Sequence, residues 1–174
     1  PFYRSKVCYL LSELSEDREG TEPVRPGWKA DYRDKRVLLA EDNEINREIA
    51  RELVGESGVV IEEACDGAEA VRMVRESEEG YYDLILMDIQ MPEMDGYEAT
   101  REIRALERRD VKRLPIVAMT ANAFAEDVQA ACRAGMNAHL AKPIDLNELE
   151  RILKQYLSEG NAMEERPGKG VGTV

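Results

Sequence analysis

Five short apolar runs recur along the middle of this chain, each followed by a stretch with helical spacing, and that alternation leaves few folds open. The runs are Val37-Leu38-Leu39-Ala40, Val59-Val60-Ile61, Leu84-Ile85-Leu86-Met87, Ile116-Val117-Ala118-Met119 and, weakest, Ala138-His139-Leu140-Ala141. Continuous apolar runs of this length suit strands covered on both faces. Between them, apolar residues recur at helical spacing. Ile45, Ile49, Leu53 and Val54 mark one face, and Ala68, Val71 and Val74 a second. Tyr97, Thr100, Ile103, Arg104 and Leu106 mark a third, and Phe124, Val128, Ala131 and Cys132 a fourth that Gly135 should stop. Leu146, Leu149, Ile152, Leu153, Tyr156 and Leu157 mark the fifth, with Asp145 as N-cap and Glu148 completing a capping box. Strict strand–helix alternation implies parallel strands. Five units are too few for an eight-stranded barrel. The expected fold is therefore a doubly wound α/β sheet over residues 35–158, a class that binds ligands at the carboxyl ends of its strands.

Charge narrows the function. The net charge is −12, so a nucleic acid duplex would be repelled and direct nucleic-acid binding is not expected. Cys8, Cys65 and Cys132 are odd in number and widely spaced, which fits neither a metal knuckle nor a disulfide framework and points to a reducing, cytoplasmic setting. No run of 18 apolar residues occurs, so no membrane contact is expected from this segment. The chain opens on Pro1 rather than Met, so a piece of a longer protein is expected. Residues 1–14 carry an apolar face (Leu10, Leu11, Leu14), residues 15–34 are polar and linker-like, and residues 159–174 form a Gly-rich polar tail.

The carboxyl ends of the expected strands carry a coherent set of groups. Glu41, Asp42 and Asn43 follow the first strand, Asp88 the third, Thr120 the fourth and Lys142-Pro143 the fifth. Hard oxygen ligands on adjacent loops suit Mg²⁺, and Glu41, Asp42 and Asp88 are such a cluster. Without a cation the three carboxylates would raise one another's pKa. Asp88 ends a rigid strand and can attack phosphorus as a carboxylate nucleophile. Lys142 and a cation can neutralise charge on a transferring phosphoryl group, and Thr120 can donate its hydroxyl to it.

Four motifs in order then resemble the receiver domains of two-component signalling: Val37-Leu38-Leu39-Ala40-Glu41-Asp42-Asn43, the segment from Asp83 through Asp88 to Gly96, Ile116-Val117-Ala118-Met119-Thr120-Ala121, and Ala138-His139-Leu140-Ala141-Lys142-Pro143. The resemblance covers about residues 35–158. It implies a flavodoxin-like sheet of strand order 2-1-3-4-5 with five helices. It further implies Asp88 as acceptor of a phosphoryl group from a histidine on a kinase core or phosphotransfer domain. Mg²⁺ would be held by Asp42 and Asp88, with Glu41 acting through water and the Gln90 backbone carbonyl as a further ligand. Thr120 and Lys142 would contact the phosphoryl group, and the Lys142–Pro143 bond would be cis. Thr120 and position 139 would form a switch, although relatives carry Tyr or Phe where this chain has His139. Gln90 and Asn122 occupy positions that tune phosphate lifetime in relatives. Residues 1–14 resemble the last helix of a preceding receiver, as in a hybrid sensor histidine kinase with two receiver modules.

Taken singly, these residues have bland readings. Glu41 and Asp42 suit a helix N-terminus, Thr120 an N-cap, and Lys142 the start of a loop before a proline. His139 reads as a half-buried strand residue, and Met87, Met91 and Met94 as packing. Residues 1–14 could equally be a docking or dimerisation helix. What the bland readings leave unexplained is the shared sheet edge. A metal-dependent phosphohydrolase with an aspartate nucleophile needs a carboxylate two residues later, where this chain has Gln90. A scaffold that is never phosphorylated would not need the full acid set. No GxGxxG or GxxxxGK[ST] string marks a nucleotide site.

Overall fold

The structure, a computed structural model, describes residues 32–121 and 125–158. The readings placed on residues 1–31, on Asn122 and Phe124, and on the tail 159–174 lie outside the described residues. Five strands, β1 (Arg36–Ala40), β2 (Val60–Ala64), β3 (Leu84–Asp88), β4 (Ile116–Thr120) and β5 (Ala138–Ala141), alternate with five helices. These are α1 (Glu44–Gly55), α2 (Gly67–Glu76), α3 (Gly96–Ala105), α4 (Ala125–Ala134) and α5 (Leu146–Leu157), with a 3₁₀ turn at Asp110–Lys112. All strands are parallel in the order β2-β1-β3-β4-β5, the doubly wound arrangement read from the sequence.

Side chains of a strand alternate between faces, so the sheet makes two cores. Leu38, Ile85, Met87 and Ile116 point to one face, where Val71 and Val74 of α2 and Ile103 of α3 cover them. Leu39, Leu86, Val117 and Leu140 point to the other, under Val54 of α1 and Leu149, Ile152 and Leu153 of α5. Every residue of β3 and β4 is buried, which is why those runs read as unbroken apolar strings. Each fully buried Leu or Ile here contributes about 1.5–3 kcal/mol.

The edges depart from the sequence reading for local reasons. The second strand runs to Ala64 and includes Glu62 and Glu63. At an edge those acids need only lateral partners. Tyr81 and Tyr82 donate to the Glu62 carboxylate at 2.6 and 2.7 Å, and Arg47 and Arg51 flank Glu63. Tyr32, inside the segment read as linker, is buried against the second core.

Helix α1 turns a different face inward than its isoleucines suggest. Ile45 is 71% and Ile49 43% exposed, while Ala50 and Val54 are buried. The inward stripe is Arg47, Ala50 and Val54, at spacings of three and four, with the Arg47 stem standing in for an apolar residue. In α4, Val128 and Cys132 are likewise exposed and Ala131 and Ala134 are buried. Gly135 ends α4 at φ +99°, as a stop glycine should.

The helix starts are strongly fixed. Asp66, Asp95 and Asp145 each accept from the backbone N–H of a glutamate three residues on, and Asn43 accepts from the N–H groups of Ile45 and Asn46. Each such cap is worth about 1 kcal/mol. From the α3–β4 connection Arg108 donates to the carbonyls of Val74, Ser77 and Glu78, satisfying the end of α2. Between β3 and α3, Glu93 sits at φ 64°, a left-handed conformation that strains an L side chain. Glu93→Gly should therefore raise stability by about 0.5–1 kcal/mol, read as a higher urea midpoint at unchanged m; a lower midpoint would show that the side chain holds the turn.

Candidate functional site

Four strand ends bring the expected groups together. Glu41 follows β1 and is 1% exposed, Asp88 ends β3 at 4%, and Asp42 is exposed beside them. One oxygen from each of these carboxylates lies within 4.8 Å of the others. Lys142, leaving β5, spans the group: its ammonium is 2.5 Å from Glu41 Oε2 and 2.9 Å from Asp88 Oδ2. The backbone N–H of Gln90 donates to Asp88 Oδ1 at 3.2 Å. Thr120 is buried at the end of β4, and its carbonyl accepts from the Lys142 N–H at 2.8 Å, which ties the two strand ends. The Lys142–Pro143 peptide is cis. His139 is half-buried and in register with Ala118 of β4, two residues before Thr120. Asp88 thus has its backbone locked in the central strand and its carboxylate at the carboxyl edge of the sheet.

Burial pushes the Asp88 carboxyl above its ordinary range, and the Glu41 charge adds to that; Lys142 and the Gln90 N–H oppose it without prevailing. Burial pulls Lys142 down, but Asp88 and Glu41 outweigh it and leave the ammonium above its ordinary value. Lys142 therefore holds its proton more firmly than an ordinary lysine, and its ammonium bridges Glu41 and Asp88. A set of clustered hard oxygen donors with an open, exposed member suits Mg²⁺, which keeps several waters and takes one or two carboxylates.

Two residues at the site escaped the sequence reading. Asn46 donates from its side-chain amide to Glu41 Oε1 at 3.1 Å, and Arg47 donates to the carbonyl of Glu41 at 2.7 Å. The available signal was positional: the third residue of a helix points back over its cap, and Asn46 follows Asn43 by three.

The comparisons agree with this geometry. The family profile described as the response regulator receiver domain matches residues 37–154. The chain belongs to the response regulator receiver domain family. The crystal structure of a receiver domain from a Pseudomonas aeruginosa PAO1 sensor histidine kinase, with magnesium coordinated in its active-site cleft, is 41% identical. That match covers 72% of this chain and 98% of that one, with a TM-score of 0.64. The receiver domain of the Saccharomyces cerevisiae regulator Ssk1, solved with the histidine phosphotransfer protein Ypd1, is 30% identical, covering 70% of this chain and 88% of that one at a TM-score of 0.61. A probable histidine kinase of Oryza sativa is 46% identical over 120 residues, 63% of this chain and 12% of the relative. Among such curated relatives the chain spans only 7% to 16% of the full length.

Proposed function

We propose that Asp88 accepts a phosphoryl group from a phosphohistidine, on a kinase core or a histidine phosphotransfer domain, and that the aspartyl phosphate alters the contacts this module makes. The observation that carries the reading is the Lys142 ammonium bridging Glu41 and Asp88 with Asp42 alongside, at the carboxyl edge of the sheet. An Asp88 oxygen forms the new P–O bond as the P–N bond of the phosphohistidine breaks, and the imidazole departs with the electron pair and takes a proton. Glu41, Asp42, Asp88 and the Gln90 carbonyl would hold Mg²⁺, which when bound supplies positive charge against the phosphoryl oxygens. Lys142 turns from Glu41 toward those oxygens, and Thr120 donates its hydroxyl to one of them. His139, in place of a bulkier aromatic, receives the Thr120 movement along the β4–β5 edge.

Such a module processes no external substrate; it takes up its own phosphoryl group and loses it slowly to water. Gln90 at the second position after Asp88 supplies no general acid for ester turnover. The relatives support membership of a hybrid histidine kinase. A cytoplasmic position follows from that reading, which the free Cys65 and Cys132 thiols suit. The test is incubation with a phosphorylated histidine donor and Mg²⁺, with a hydroxylamine-labile mass gain of one phosphoryl group expected; no gain with either a protein donor or acetyl phosphate would sink the reading.

Ile45 and Ile49 point to where the donor sits. They are exposed and one helical turn apart on α1, which begins two residues after Asp42. An apolar strip at the rim of a charged site suits the apolar side of a donor helix. Replacing both by Glu should slow transfer from the histidine donor roughly tenfold, which corresponds to about 0.7 kcal/mol lost per residue. Phosphorylation by acetyl phosphate should be unchanged; equal slowing with both donors would place the effect in the site instead.

A further inference from the structure

We propose that Asn46 and Arg47, side by side on the first turn of α1, are positioning residues that set the acid pair Glu41–Asp42 for its cation. This rests on the reading that those acids serve Mg²⁺, and adds what holds them.

The Glu41 carboxylate is buried, so each of its oxygens needs a partner. Oε2 has Lys142 at 2.5 Å, and Oε1 has the Asn46 amide at 3.1 Å. The two partners are not equivalent. Lys142 is shared with Asp88 and has to serve the phosphoryl group. Asn46 has no second acid in reach among its described hydrogen bonds, so it holds Glu41 in place when Lys142 turns away. Its own position is set by Asn43, whose side chain accepts from the Asn46 N–H at 3.1 Å.

Arg47 acts on the main chain. Its guanidinium donates to the Glu41 carbonyl at 2.7 Å and reaches the Asp42 carbonyl at 3.4 Å. On its other side Nε lies 3.4 Å from Glu63 Oε2 on β2, and the side chain is only 15% exposed. The Glu41 N–H meanwhile donates to the Ala64 carbonyl of β2 at 3.1 Å. The peptide planes on both sides of the acid pair are thus pinned between edge strand and helix. With both carbonyls turned toward one guanidinium, the loop has little freedom to swing its side chains from Asp88. The planar guanidinium fork suits more than one acceptor at once.

Charge alone predicts the opposite of positioning. A cation beside a metal site repels Mg²⁺, so removing it would tighten binding; if Arg47 positions the acids, removing it loosens binding. The experiment is calorimetric titration of the full chain with Mg²⁺ alone, for wild type, Asn46→Ala, Arg47→Met and Arg47→Lys, with the unfolding midpoint of each measured without metal. Loss of an outer-shell partner costs a metal site about tenfold at the low end. Arg47→Met should weaken binding by about that factor, and Asn46→Ala, on an exposed residue outside the core, by a similar one. Arg47→Lys, which keeps the charge but only one donor nitrogen, should fall between. Each weakening should exceed what any change in the metal-free midpoint explains. Variants that bind Mg²⁺ as tightly as wild type, or tighter, overturn the proposal while leaving the cation reading intact. A wild-type chain that binds no Mg²⁺ overturns both.

Discussion

Asp88→Asn should abolish phosphoryl uptake completely and, in the absence of metal, leave the protein more stable than wild type. The first effect is chemical, since an amide oxygen is no nucleophile toward phosphorus at neutral pH. The second comes from the pKa direction. Burial and the Glu41 charge hold the Asp88 carboxyl above its ordinary value despite Lys142 at 2.9 Å. A carboxyl raised in the folded state binds its proton more tightly there than when unfolded, so folding is favoured below the folded pKa. Wherever the group is ionised, that ionisation opposes folding. Asparagine keeps the shape and an acceptor for the Gln90 N–H, removes the charge, and leaves Lys142 to Glu41. The gain should be roughly 1 kcal/mol, typical of relieving a group held for function, and the midpoint should rise by about 3–5 °C. The difference should narrow as pH falls toward the carboxylate range, where wild-type Asp88 takes up its proton. Saturating Mg²⁺ should narrow it too, by stabilising wild type more. Thermal unfolding at about pH 8 and about pH 5, with intact mass after donor treatment, checks each part. A variant less stable at every pH, or one still phosphorylated, would contradict the assignment.

What the sequence made legible follows from where polar compromise was absent. β1, β3 and β4 are covered on both faces, so their residues carry no mixed signal and their ends could be located closely. The reactive set inherited that clarity, because Glu41, Asp42, Asp88, Thr120 and Lys142 each stand directly at or after a strand end. β2 was harder, since an edge strand tolerates Glu62 and Glu63 so long as tyrosines and arginines meet them laterally. The inward face of α1 is legible only at its end, where Leu53 and Val54 meet the core, and its start departs for a physical reason. Ile45 and Ile49 look like a continuation of that face, but Arg47 and Ala50 take their place, and an arginine stem does not register as apolar in a sequence. Arg47 escaped notice for the same reason: its use depends on which way the helix turns.

Gly96→Ala should cost about 3 kcal/mol of stability, lower the midpoint by on the order of 10 °C, and slow phosphorylation much more than its size suggests. The glycine is there for space rather than for backbone freedom. A Cβ at position 96 would lie 2.2 Å from the Asp88 carbonyl oxygen and 3.0 Å from both the Asp88 carbonyl carbon and the Ile89 Cα. All three are backbone atoms of the segment that carries the acceptor, so no side chain can swing aside. The helix is also held from its own end. The Gly96 N–H donates to the Ile89 carbonyl at 3.0 Å, and Asp95 caps α3 through the Glu98 N–H at 2.8 Å. Either α3 retreats and breaks these contacts, or β3 bends and displaces Asp88. A displacement of about 1 Å at a reacting group can cost a hundredfold in rate. Gly80→Ala is the matched control: it adds the same atom at φ +74° with nothing within 4 Å. It should cost only the left-handed penalty of about 1–2 kcal/mol and leave phosphorylation unchanged. If Gly96→Ala cost no more than Gly80→Ala and kept its phosphorylation rate, the close approach of α3 to the acceptor strand would not be what fixes Asp88 in place.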